Sequence, residues 1–255
     1  MSIIIKSDQE IAIMRQAGRI VATVLEILKS QVKAGMRTEE LDVIAARETE
    51  RMGGQPSFKG YRGFPANLCV SVNDEVVHGI PGEKVLRDGD IVSLDFGVIY
   101  DGFQGDAAIT LGVGTVSQEA KQLMGSTEGA LKAGIAAAHP GVRLGDISAA
   151  IEHYARSREY SVVREYTGHG IGREMHEDPQ VPNCTQPSFG LMSGTGPELK
   201  KGMTLALEPM VNIGNWATRL NDNHWTVHTK DGSLSAHFES TIAITDGEPE
   251  VLTSI

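Results

Sequence analysis

The sequence predicts an α+β fold: two related helix-helix-strand halves, roughly residues 1–115 and 116–255, around a central antiparallel sheet in one domain. Three observations lead there. The stretch from Asp90 to Thr110 (DIVSLDFGVIYDGFQGDAAIT) has two runs rich in Val, Ile and Phe flanking Asp101-Gly102, a pair that favours a type I′ turn and therefore a β-hairpin. The segment GVRLGDI at 141–147 echoes GMRTEEL at 35–41, each following a long amphipathic pattern and opening a shorter one. Internal similarity of this kind is the mark of a duplicated unit. Finally, no linker rich in Gly, Pro or Ser is long enough to separate independent domains, and 255 residues suffice for one well-covered core.

Taken in order, Ser7-x-x-Glu10 forms a capping box, and Ile11, Met14, Val21, Val24, Leu25 and Leu28 supply the inward stripe of a first helix. A second helix begins near Thr38, turns Leu41, Ile44 and Ala45 inward and ends by Gly53-Gly54. A loop with Gly, Pro and aromatic residues runs from Pro56 to Pro65, and residues 68–72 (LCVSV) read as a strand. The hairpin follows. In its predicted register Tyr100 faces Phe103 and Asp95 faces Ala108, so Asp106 is a diagonal neighbour of Asp95 on the same face, roughly 7–8 Å away at Cα. Val92, Leu94, Phe96 and Val98 form the opposite, core face. Ser117 caps a third helix carrying Leu123, Met124, Leu131 and Ile135, closed by Pro140-Gly141, and a fourth carries Ile147, Ile151 and Tyr154. Residues 183–201 read as a surface loop. Met203 to Met210 alternates towards Glu208, with Pro209 stopping or kinking the strand, and Ser235 to Thr245 reads as one further strand.

Composition narrows the function. A net charge of −10 argues against a nucleic-acid-binding surface. No apolar run approaches the length of a membrane span, and the start MSIIIKSDQE lacks the pattern of a secretory signal. The two cysteines, Cys69 and Cys184, make no disulfide framework, so a reducing cytoplasm is expected.

Chemistry concentrates in a few side chains. Asp95 and Asp106 project together from an apolar-backed hairpin, and like charges that close need a proton or a cation between them. His169 lies between glycines in GHGIG, and His176 follows seven residues later. Glu208 ends a strand face lined by small residues, and Glu239 shares a face with His237 and Thr241 beside Phe238 and Ile242, where a carboxylate needs a partner. Four carboxylates and one imidazole suit Mn, Fe(II), Co or Zn alike. They are more than one ion requires, and two ions about 3.5–4 Å apart would use bridging carboxylates.

Five blocks in order (NDEVVHGIP at 73–81, the Asp95/Asp106 hairpin, GHGIG with His176, GMTLALEPMVN at 202–212 and WTVHTKDGSLSAHFESTIAIT at 225–245) resemble the type I methionine aminopeptidases, with their pita-bread metallopeptidase fold, over essentially the whole chain. The resemblance implies two divalent ions, with Asp95 chelating one, Asp106 and Glu239 bridging, and His169 and Glu208 completing the other. It implies that a metal-activated hydroxide attacks the carbonyl of an N-terminal methionine, that Glu208 moves the proton, and that His78 and His176 contact substrate, with His176 steadying the oxyanion. By position the methionine pocket would use Phe58, Tyr61, Phe64, Cys69, His78, Met175 and Trp225. Phe58 and Met175 depart from the bacterial pattern, which resembles Cys and Phe there. The expected substrates are peptides and nascent chains whose second residue is small, and the expected state is a monomer. A prolidase-type relative would carry a substantial preceding domain, and a non-catalytic relative would have lost ligands. The short bacterial form, without the type II insertion, is the better match.

Overall fold

The computed structural model describes residues 2–186 and 190–255. Helix α1 spans Asp8–Gln31 and opens on the predicted capping box: Glu10 N donates to Ser7 Oγ at 3.3 Å, and Ser7 N donates to Glu10 Oε2 at 3.0 Å. The predicted stripe of α1 is buried throughout. Helix α2 is Thr38–Arg51, α3 is Gln118–Ala136 and α4 is Leu144–Arg156. Among the described residues no helix is long and apolar enough to cross a membrane.

The hairpin forms as its turn chemistry dictates. Strands Ile91–Tyr100 and Phe103–Gly112 pair with Tyr100 opposite Phe103, Asp95 opposite Ala108 and Gly97 opposite Asp106. Asp101 and Gly102 both take positive φ, 47° and 76°, as a type I′ turn requires. Val92, Leu94, Phe96 and Val98 are buried against α1 and α2 in one apolar core. In a second core α3 and α4 cover Leu205, Leu207 and Ile242 of the same sheet.

The two echoing stretches make matching bonds. Gly35 and Gly141 have φ of 87° and 85°, and their amides donate to Leu86 O at 2.8 Å and Leu199 O at 2.9 Å. Two residues on, Arg37 N donates to Glu40 Oε1 at 2.7 Å and Arg143 N to Asp146 Oδ2 at 3.1 Å, so each shorter helix opens with the same backbone cap. The 183–201 loop packs on the start of α4, where Ser193 Oγ and Gly194 N both donate to Asp146 Oδ1 at 2.7 Å. Its residues 187–189 lie outside the described part of the chain.

The main sheet is antiparallel and sets the site by its order. Five adjacent strands run Ile91–Tyr100, Phe103–Gly112, Glu239–Ala243, Thr204–Leu207, Thr167–Gly170. Contrary to expectation, 235–245 is not one strand. Ser235–His237 pairs with Met210–Asn212 in a separate three-stranded sheet, and Glu239–Ala243 belongs to the main one. The cause is on the partner. Pro209 has no amide to continue the ladder, and Phe238 N donates to Pro209 O at 3.4 Å where both chains bend from one sheet into the other. The register runs on through the bend: Met210 faces His237 and Ser240 faces Leu207, which sets Glu208 opposite Glu239.

Candidate active site

Each of those five strands contributes one acid or histidine to a common cleft. In spatial order these are Asp95, Asp106, Glu239, Glu208 (just past the end of its strand) and His169. The sequence order 95, 106, 169, 208, 239 is thus refolded by the sheet into neighbours. Asp106, His169 and Glu239 are buried, and Asp95 and Glu208 are partly so. His169 is on a strand rather than in a turn, at a break in register where Gly170 follows.

These groups are short of protein partners. Oδ1 of Asp95, Oδ1 of Asp106 and Oε1 of Glu239 are buried with no hydrogen bond. Among the described residues the basic side chains beside Glu208 and Glu239 are histidines: His169 Nε2 lies 3.7 Å from Glu208 Oε1, and His237 Nε2 lies 3.7 Å from Oε2 of both Glu208 and Glu239. At that length these contacts are not hydrogen bonds. It does match two ligand atoms of one ion, ~3–4 Å apart when each bond is about 2.0–2.1 Å. Asp106, His169 and Glu239 bring ligand atoms within 4.8 Å of one another, as do Glu208, His237 and Glu239. A hard or borderline divalent cation fits this set by donor chemistry and by the orphaned oxygens.

Crowding shifts every acid the same way. Burial raises Asp95 to about 7. Burial, then the charge of Asp95, pushes Asp106 well up, and burial with the neighbouring carboxylates does the same to Glu208 and Glu239. The histidines go down: burial takes His169 and His237 to about 3 and His78 to about 4. The sign of the pH dependence follows. Above about pH 7.5, a unit past the free imidazole value, these histidines are neutral whether folded or not, so only the acids contribute. A raised acid stabilises the fold at low pH and loses that contribution as pH rises through its folded value. Metal-free protein is therefore expected to melt at progressively lower temperature from about pH 7.5 to 8.5. Saturating divalent metal should remove the slope, because binding displaces those protons. Thermal melts with chelator and with metal across that range check this, and a flat chelator series would refute it.

Beside the acids opens a cavity of about 150 Å³, a size at which a cavity takes up one benzene. Every residue expected for the metal site or pocket lines it. Phe64 and Trp225 meet edge-on with centroids 5.1 Å apart, and buried Cys69, its thiol pushed up by burial beside Asp95, stays protonated. Phe58 and Met175 converge over Gly97, where an added Cβ would lie 2.8 Å from Phe58 Cε1 and 2.9 Å from Met175 Cε. His78 has φ +59, a strained setting for a residue with a side chain, and its ring meets Tyr166 edge-on. His176 stands exposed at the mouth. Its ring centroid is 4.2 Å from that of His169, and Nδ1 is 2.8 Å from Tyr61 Oη. Loss of hydration on its inner side, with Arg62 nearby, lowers it to about 4.

Two residues at the site went unassigned in the sequence. His237 was placed on the face of Glu239 but given no role, yet both its ring nitrogens are buried without partners. Arg62 also lines the mouth. Its one sequence signal is its place between Gly60 and Gly63, in a turn where it takes φ +48.

Comparison with known proteins is consistent along the whole chain. The profile of metallopeptidase family M24 matches residues 12–246. The chain is 51% identical over 253 residues to a methionine aminopeptidase of Clostridium perfringens, covering 99% of each. It is 50% identical to methionine aminopeptidase 1 of Bacillus subtilis, covering 99% of this chain and all of that one. Its structure superposes on a methionine aminopeptidase from Thermotoga maritima with a TM-score of 0.96 at 43% identity, both chains covered in full. A prolidase from Pyrococcus furiosus, 20% identical, shares the fold at a TM-score of 0.77, with 99% of this chain matching 66% of that one. These matches show the pita-bread fold that the resemblance implied.

Proposed function

The chain belongs to metallopeptidase family M24 and removes N-terminal methionine in a metal-dependent reaction, and we propose that it does so with two divalent ions held by Asp95, Asp106, His169, Glu208 and Glu239. The observation that carries the reading is the convergence of those five side chains from adjacent strands onto one cavity of single-side-chain size, whose remaining wall is mostly aromatic rings and sulfur. When bound, the ions lower the pKa of water and polarise the scissile carbonyl.

The rest is done by the chain. The methionine side chain lies among Phe58, Tyr61, Phe64, Cys69, His78, Met175 and Trp225, where rings and sulfur suit an unbranched thioether. Glu208, which lines the cavity, takes the proton of the attacking water and passes it to the leaving amine as the C–N bond breaks. His176 donates Nε2–H to the carbonyl oxygen as it becomes negative. The Tyr61 hydroxyl supports this by donating to Nδ1, which leaves the ring proton on Nε2.

The substrates in this reading are peptides and nascent chains with a small second residue, met in the cytoplasm by a monomer. The net charge of −10 supports a peptide rather than a nucleic acid partner. The chain acts as one domain, 1–255, whose halves 1–115 and 116–255 are related. The matching caps at Arg37 and Arg143 support that relation. A panel of peptides tests the specificity. Met-Gly, Met-Ala and Met-Ser peptides should be trimmed at least about 100-fold better than Leu- or Lys-initiated ones. Equal cleavage of all, or a demand for proline in second place, would refute it.

A further inference from the structure

We propose that the buried Lys6–Glu177 ion pair is a latch that fixes the turn bearing His176, making Lys6 and Glu177 positioning residues for the reaction. The inference rests on the oxyanion role of His176 proposed above.

Lys6 precedes α1, and its neighbours Ile4 and Ile5 are about half exposed, yet Lys6 itself is 5% exposed and its ammonium pairs with the Glu177 carboxylate. Lysine and glutamate are rarely buried this fully. A buried ion pair adds little net stability compared with apolar residues of the same volume, so stability alone does not account for it. Its place in the fold does. Glu177 directly follows His176 and opens the strand Glu177–Pro182. Its Oε1 accepts from Glu174 N at 3.3 Å, closing a turn that contains Met175 and His176. The Lys6 end is anchored in turn. Lys6 N donates to Gly202 O at 2.8 Å, and Gly202 N donates to Ile244 O at 2.9 Å, tying the latch to the end of the Glu239 strand. Gln104, from the Asp106 strand, holds the near side of the turn through Gln104 N to Gly172 O at 2.8 Å. The last glycine of GHGIG is where the pair needs room: a Cβ on Gly172 would collide with Glu177 Oε1 and Lys6 Cε. The turn with the oxyanion donor is thus clamped to the strands that carry Asp106 and Glu239.

The test is K6M/E177Q, which keeps volume and leaves no buried charge unpaired, with K6M alone for comparison. The metal-loaded double variant should fold and hold as much metal as wild type. Its kcat should fall about 100-fold, the scale of a small misplacement, with KM little changed. Added to His176→Ala, it should cost no further kcat, because the latch acts through that ring. Wild-type kcat in the folded double variant overturns the latch. So does a fall in kcat of equal size on top of His176→Ala, since the pair would then act elsewhere. If His176→Ala alone turns over like wild type, the oxyanion reading fails, and the latch fails with it.

Discussion

Asp106→Ala and Glu239→Ala are each expected to abolish turnover, by on the order of 1,000-fold or more, above the 10–100-fold typical of losing a residue that only supports a ligand. Glu239 supplies an atom to both ligand clusters and Asp106 to one of them, and each side chain carries a buried oxygen with no protein partner. Removing either therefore removes a cation's ligand rather than a structural bond. The metal-free protein offers a control on folding. Both carboxyls are pushed well up by burial and then by neighbouring carboxylates, Asp106 by Asp95 and Glu239 by Asp106, Glu208 and Asp95, so deleting one relieves crowding. Each metal-free variant should melt no lower than metal-free wild type above neutral pH. Metal content should fall from two ions per chain in the proposed wild type, measured by elemental analysis beside steady-state rates. Wild-type turnover with wild-type metal content in either variant would remove the two-ion reading.

The features legible in the sequence were those with a local cause. The Asp101-Gly102 turn and period-two alternation gave the hairpin register, and the Ser7/Glu10 box gave the start of α1. What escaped depends on another part of the chain. The alternation from Ser235 to Thr245 is unbroken, and the strand divides at Phe238 only because Pro209 faces it across the ladder. His237 reads like any strand histidine until its two nitrogens prove to be buried without partners. Lys6 sits in a short, mostly exposed segment, and nothing near it in sequence announces a buried partner 171 residues away. The acids were legible as residues, but their neighbour relations came from the strand order, which no local pattern encodes.

His176→Ala and His169→Ala should separate catalysis from metal binding. His169 is buried, and Nδ1 donates to Gly170 O at 2.8 Å, which fixes the tautomer and leaves the Nε2 lone pair facing Glu208. A histidine held by its outer nitrogen with the inner one free is arranged as a ligand. His176 is exposed at the mouth, and its Nδ1 lies 2.8 Å from Tyr61 Oη; in the proposed tautomer the hydroxyl donates to Nδ1 and Nε2 carries the proton. A donor that acts as charge develops on the carbonyl oxygen works mainly in the transition state, so its loss lowers kcat more than it raises KM. Loss of one such donor typically costs on the order of 100- to 1,000-fold in kcat. His176→Ala should fold, keep its metal and turn over slowly by about that factor, while His169→Ala should lose metal from one position. Metal stoichiometry and steady-state kinetics on both variants decide it. Loss of metal in His176→Ala with full metal in His169→Ala would exchange the two roles, and wild-type rates in both would place the chemistry elsewhere.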